Sequence, residues 1–378
     1  MKTDARTRVL VVIPTLEIGG AERQMTLLMK GLNQNSYSLG IVCCQLRGEL
    51  VNEIPPHVRH YDLGKRSRWD FPFLVLRLRT ILDEFRPEFI IASLEYAQML
   101  AWLSTQLTGH RAKIIARKEI MPSESRWGES FSKIKRVLDR LVNRKVDMIV
   151  APSSGILDEV SQHLTSTKIP LVRIPNAVDI ERVPTPLKPS AAVSGKKIFV
   201  MGRFVEWKGF DMSLQALSRL PRGLAELHLI GDGPERRRLQ DLARDLGLAN
   251  LVRFHGYQPD PFPLLREGWF GVLPSRFEPF GNVIVEMFAV GLPVVAFDVN
   301  YGPKEIIRDG QNGILVKNRN PIDLAQAMLR LLSDDELRNR LGAQARNEAV
   351  QRYSLKAAIR SYEECFALLR AVPQLAHA

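Results

Sequence analysis

Short apolar runs alternate with longer amphipathic stretches along the whole chain. Runs at 9–13, 39–43, 89–93, 113–116 and 148–152 read as buried strands, with helical spacing between them at 21–32 and 72–85. A proline-rich stretch, Pro184 to Ser190, breaks the alternation, and 196–201 starts a second series. That series reads helix 208–220, strand 226–231, helix 234–246, strand 252–256, strand 268–274, strand 290–298 and strand 313–316. Helices from 321 and 334 and a last one over 355–369 follow. Alternating strands and helices predict parallel sheets, so the fold class is α/β. The expected division is a first domain over 1–184, a linker over 185–195, a second domain over 196–353 and a terminal helix within 354–378.

The stretch between the strands at 268–274 and 290–298 carries the most chemistry. Glu278 and Glu286 stand eight positions apart across a turn of small residues, Gly281 and Asn282. A helix starting there places Glu286 about one turn in, on the face that holds Asn282 and Val283. Backbone N–H groups at a helix start lack intrahelical acceptors, and with the helix dipole they suit a diphosphate. A carboxylate one turn below can take two ribose hydroxyls, and one in the turn above can hold sugar hydroxyls. Two surface charges are the plain alternative. Their place after a buried strand, at the carboxyl edge of a parallel sheet, favours a nucleotide-sugar site.

These residues carry a family resemblance. The E-x7-E pattern follows Gly202-Arg203 with Lys208-Gly209 and then Gly231-Asp232-Gly233-Pro234. Asn300-Tyr301-Gly302-Pro303 with Glu305-Ile306-Ile307, Asp309-Gly310-Gln311-Asn312-Gly313 and an early Gly19-Gly20-Ala21-Glu22-Arg23 complete the set. Taken in order, they resemble the retaining glycosyltransferases of family 4, strongly in the second half and loosely between 51 and 145. The resemblance implies a GT-B fold: two Rossmann-like domains facing a cleft, with the C-terminal helix crossing back to the first. It implies Arg203 and Lys208 on the diphosphate, Glu278 on the donor sugar and Glu286 on the ribose. Gly281, Asn282 and Val283 offer backbone donors, Gly202 precedes the arginine, Gly19 and Gly20 allow close backbone approach, and Tyr257 lies by the base. Many relatives place a histidine at the donor sugar or acceptor from the first domain. This chain has none there, and Glu95, Tyr96 and Arg117 become acceptor-side candidates.

Composition narrows the picture. The 378 residues are 45% hydrophobic and 25% charged, which is ordinary for globular domains. Three cysteines suggest buried thiols in a reducing compartment, not a disulfide framework. No run approaches the ~18 apolar residues of a spanning helix, and the apolar run near the start is too short for a signal core. A cytoplasmic chain, peripheral on the membrane face at most, is expected. The net charge of +12 is concentrated: residues 113–145 hold ten basic and four acidic residues. Apolar positions at helical spacing over 131–142, among Lys133, Lys135, Arg136 and Arg140, predict a basic amphipathic helix. It is either a solvated face or a contact with an anionic membrane through 130–145. Nucleic acid is not expected, because no binding motif accompanies the charge.

No two aspartates stand two apart, so the Asp-x-Asp of metal-dependent sugar-nucleotide enzymes is missing. Fixed cations then neutralise the leaving diphosphate, and neither metal nor cofactor is expected. The resemblance, through the Gly19–Arg23 and Asn300–Ile307 segments, implies a nucleotide sugar, UDP-linked by preference, and a glycan or lipid-linked acceptor of bacterial surface polysaccharide as substrates. A GT-B phosphorylase or epimerase, and a non-catalytic nucleotide-sugar-binding or membrane scaffold, remain as alternatives.

Overall fold

The computed structural model describes residues 6–119, 141–164, 169–183 and 196–371. The basic amphipathic segment expected over 130–145 and the linker expected over 185–195 fall largely or wholly outside these residues. The chain divides into two compact units: Met1–Ala177 with Leu355–Ala378, and Val178–Ser354.

The first unit is a seven-stranded parallel sheet. Its strands are β1 (Thr7–Ile13), β2 (Tyr37–Cys43), β3 (Arg59–Asp62), β4 (Phe89–Ser93), β5 (Lys113–Arg117), β6 (Met148–Ala151) and β7 (Leu171–Arg173). They lie in the order β3-β2-β1-β4-β5-β6-β7. Side chains alternate across the sheet, so each strand feeds two cores. Val9, Val11, Ile41, Phe89 and Ile115 meet the helices Gly20–Gly31 and Leu355–Ala371 on one face. Leu10, Val12, Val42 and Ile90 meet the helices Phe71–Phe85 and Glu95–Gln106 on the other. The terminal helix belongs to this unit: Phe366 stacks on Phe89 at 4.6 Å between ring centroids.

The second unit is a six-stranded parallel sheet of β8 (Lys196–Met201), β9 (Ala225–Ile230), β10 (Val252–Gly256), β11 (Phe270–Leu273), β12 (Val294–Phe297) and β13 (Gly313–Val316). The order is β10-β9-β8-β11-β12-β13. The helix expected over 208–220 is divided: a single turn at Glu206–Lys208 precedes the helix Phe210–Leu217. Gly209 separates them at φ 68°, and a Cβ there would lie 1.9 Å from the Pro274 carbonyl oxygen. Only glycine fits that conformation and that approach. β3 and β7 are edge strands that the apolar pattern does not reveal, since β3 reads RHYD and is mostly exposed. Pairing with β2 and β6 defines them instead.

A histidine pair on β9 and β10, with His228 buried, predicts that the second unit loses stability in acid. His228 Nδ1 lies 2.9 Å from His255 Nε2, and His228 Nε2 lies 3.3 Å from a Glu226 carboxylate oxygen. Burial, with His255 beside it, lowers the His228 pKa to about 4, and burial with Lys197 and Arg253 nearby lowers that of His255. An unfolded histidine takes its proton near pH 6.5. The stability that depends on neutral imidazoles is therefore complete above pH 6.5 and is lost as pH falls toward 4. We expect the melting temperature to drop across that window and His228→Gln to reduce the slope. Equal slopes in melts of the two proteins would show that other groups set the acid limit.

Candidate active site

In an open parallel sheet, ligands bind outside the carboxyl ends of the strands where the winding order reverses. In the second unit that point lies between β8 and β11, and both halves of the glutamate and lysine chemistry converge on it. After β8, Gly202 hydrogen-bonds through its N–H to Ile230 O (3.0 Å), Arg203 follows exposed, and the Glu206–Lys208 turn brings Lys208 back. After β11, the 274–280 turn carries Glu278, which is only 7% exposed. Lys208 Nζ lies 2.5 Å from Glu278 Oε2, and Ser275 Oγ donates to the same oxygen at 3.2 Å.

The helix Asn282–Ala289 opens directly after this turn, with Gly281 as its cap at φ 105°. Asn282 and Val283 contribute N–H groups of its first turn, and Glu286 sits one turn in, half-buried. Gly302, at φ 50°, is pressed against this turn: a Cβ would come within 2.5 Å of the Phe280 and Glu278 carbonyl oxygens. The Asn300–Pro303 motif thus braces the backbone that presents Glu278. Tyr257 follows β10 and is 44% exposed. Among the described residues, no three His, Cys, Asp or Glu side chains gather as a metal-binding group.

Arg276 escaped the sequence reading. It donates bidentately to Asp211 (3.1 and 2.7 Å) and also to Glu206 O (2.6 Å), while its own N–H donates to Trp207 O at 2.8 Å. The turn holding Lys208 and the turn holding Glu278 are thereby joined a second time. Opposite charges in the two motifs, Asp211 just after Lys208-Gly209 and Arg276 just before Glu278, were the available signal.

In the first unit the winding reverses between β1 and β4. Gly19 and Gly20 follow β1 and open the first helix. A Cβ on Gly19 would lie 2.2 Å from Glu22 Oε2, so the glycine leaves room for that carboxylate. Burial, with Glu119 and Glu17 nearby, raises the Glu22 pKa above the usual glutamate range. Glu95 and Tyr96 start the helix after β4, both half-buried. Leu94, ahead of them, holds φ 71°, a conformation that strains a residue with a side chain and is concentrated at functional sites. Tyr96 packs edge-on to Phe71, with Lys65 Nζ 4.1 Å from its ring centre.

Arg117 departs from the acceptor-side expectation. It ends β5 with 1% of its surface exposed and donates to Glu119, to Asn176 Oδ1 and, at 2.5 Å, to Tyr362 Oη. Burial opposes its charge, but Glu119 and Tyr362 outweigh it and hold the guanidinium charged. The side chain is committed to anchoring the terminal helix.

Comparison with known proteins identifies the family. Residues 18–182 match the profile "Glycosyltransferase Family 4" and residues 188–348 match "Glycosyl transferases group 1". The chain belongs to the family 4 glycosyltransferases. Lipopolysaccharide core biosynthesis glycosyltransferase LpsE of Rhizobium meliloti is 36% identical over 59% of this chain and 65% of its own length. The match to exopolysaccharide phosphotransferase SCO2592 of Streptomyces coelicolor, at 32% identity, covers 67% of this chain and 26% of that protein. The chain thus spans less than two thirds of either relative. A Campylobacter jejuni N-acetylgalactosaminyltransferase, named for a diphospho-undecaprenol-linked substrate, is 25% identical over 90% of this chain and 94% of its own. Among solved structures, Anabaena HepE with UDP and glucose superposes at a TM-score of 0.80, with 21% identity, over 96% of this chain and 100% of that one. Its likeness, and that of a sucrose-phosphate synthase from Thermosynechococcus elongatus at 0.81 with 19% identity over 97% and 100%, establishes the GT-B fold.

Two stability measurements separate site from framework. Arg117→Met leaves Glu119 buried without its partner and is expected to destabilise the chain by about 3–5 kcal/mol, against about 1 kcal/mol for Tyr362→Phe. Arg276→Ala and Asp211→Ala are each expected to lose about 1.5–3 kcal/mol and to be non-additive together. Urea titrations of the single and double variants provide the check, and additive losses would mean that the bidentate pair does not join the turns.

Proposed function

We propose that this chain moves a hexose or N-acetylhexosamine from a nucleotide sugar, UDP-linked by preference, to a glycan or lipid-linked acceptor in bacterial surface polysaccharide synthesis, with the configuration retained. The ion pair of Lys208 with Glu278 at the winding reversal of the second sheet carries this reading. It sets a fixed cation and a sugar-binding carboxylate side by side. The relatives' names support the acceptor class: one acts in lipopolysaccharide core synthesis and one on a diphospho-undecaprenol-linked glycan. HepE, of the same fold, was crystallised with UDP and glucose.

In this mechanism the anomeric C–O bond to the diphosphate breaks, and negative charge builds on the leaving oxygen. Lys208, Arg203 and the N–H groups of Gly281, Asn282 and Val283 receive that charge, so fixed donors do the work without a metal. Glu286 holds the ribose hydroxyls, Glu278 the sugar hydroxyls, and Tyr257 lies by the base. Gly202, Gly19 and Gly20 let the backbone come close. The acceptor hydroxyl attacks from the face that the diphosphate leaves and passes its proton to the departing phosphate oxygen. No histidine is needed on that route, and Glu95 and Tyr96 remain to orient the acceptor. Before donor binds, Lys208 and Glu278 neutralise each other; the diphosphate and sugar then take over those contacts. We take the chain to act in the cytoplasm, at the membrane face where such acceptors are held.

UDP is expected to raise the melting temperature more than GDP or ADP, with EDTA making no difference. Glu286→Ala weakens UDP binding by about 1–3 kcal/mol. Glu278→Gln abolishes transfer while keeping the UDP shift. A Glu278→Gln protein with normal turnover would falsify the assignment of the sugar contact, and no shift with any nucleotide would overturn the transferase reading.

A further inference from the structure

We propose that Trp69, Phe73 and Leu76 form a docking surface for an anionic lipid bilayer. The helix Phe71–Phe85 buries Leu74, Val75, Leu78, Leu82 and Phe85 against its sheet, so its opposite face should be polar. At the N-terminal end it is not. Trp69 is 76% exposed, Phe73 68% and Leu76 52%, and the first two are the most exposed large hydrophobic side chains among the described residues. Phe73 and Leu76, three apart, share one face of the helix, and Trp69 stands in the single turn Arg68–Asp70 that leads into it. Single exposed apolar residues are common on protein surfaces, but a row of three including two aromatics marks an interaction site.

The row is held out by built structure. Ser67 Oγ accepts from the Trp69 N–H at 3.1 Å, and the Asp70 carboxylate accepts from the Arg66 and Ser67 N–H groups at 2.7 and 2.9 Å. This capping box fixes the turn that presents Trp69.

Charge selects the partner. Residues 64–80 hold five lysines and arginines against one acidic residue. Arg66, Arg77 and Arg79 are exposed, and Arg77 and Arg79 flank Phe73 and Leu76 on the helical wheel. The acidic Asp83 and Glu84 lie near the far end of the helix. An apolar row with aromatics in a basic rim suits a surface with hydrocarbon below and anionic headgroups around it. A second protein copy suits it less, because three side chains offer under about 500 Å² where a stable interface needs about 800 Å² per partner. The surface is separate from the nucleotide residues, so its test stands whether or not the transferase reading does.

The test uses the full chain and cosedimentation with phosphatidylcholine vesicles, with and without phosphatidylglycerol. Binding is expected only where phosphatidylglycerol is present. Trp69→Ser with Phe73→Ser and Leu76→Ser should lower it at least about tenfold, and Arg66→Glu with Arg79→Glu should lower it as well. The melting temperature of each variant monitors folding, which these surface changes leave intact. A triple serine variant that still sediments like the parent protein overturns the proposal. So does one that keeps vesicle binding while light scattering shows a parent dimer becoming a monomer, since the row is then a contact between copies.

Discussion

A buried carboxylate and an ammonium group 2.5 Å apart hold together two turns seventy residues apart in the chain. Glu278 is buried where an unpartnered carboxylate would be costly, and Lys208 is brought to it by a turn that only a glycine at 209 allows. Arg276 repeats the linkage with Asp211 on the outer side. The two turns therefore act as one platform, and the first turn of the Asn282 helix is built directly onto it. Electrostatic stabilisation of a leaving group depends on such pre-set charges, because donors that need not reorganise contribute most when the bond breaks.

Parallel topology explains why these groups meet at all. Every strand leaves its sheet at the same edge, so each loop after a strand is delivered to one side. The reversal of winding then opens a gap between two of those loops. The second unit places Lys208 and Glu278 at its reversal, and the first places Gly19, Gly20 and Glu95 at its own. Polar residues are concentrated there because the flanking strands are apolar on both faces and leave them no other place.

Much of this was legible in the sequence because period and punctuation are local properties. Buried strands such as 9–13 and 89–93 declare themselves by composition, and the paired glutamates, with Gly202-Arg203 and Lys208-Gly209, point to the turns that meet at the reversal of the second sheet. What was not legible depends on distant neighbours. β3 is a strand only because β2 offers a free edge, and nothing in RHYD says so. Arg117 looks like a substrate cation until Tyr362 and Asn176 are found around it. Arg276 carries no motif of its own, and its importance comes from Asp211, sixty-five residues away.

The terminal helix has a consequence for how the molecule is made. Tyr362 is 245 residues beyond Arg117, and Phe366 completes a core that draws on residues from Val9 to Ile174. The second unit is contiguous in sequence, whereas the first remains unfinished until the helix Leu355–Ala371 has been made. During that interval the guanidinium of Arg117 and the apolar face of the first helix have no cover. Synthesis order and folding order are thus reversed: the unit that emerges first must wait for residues 355–371, which follow the whole of the second unit.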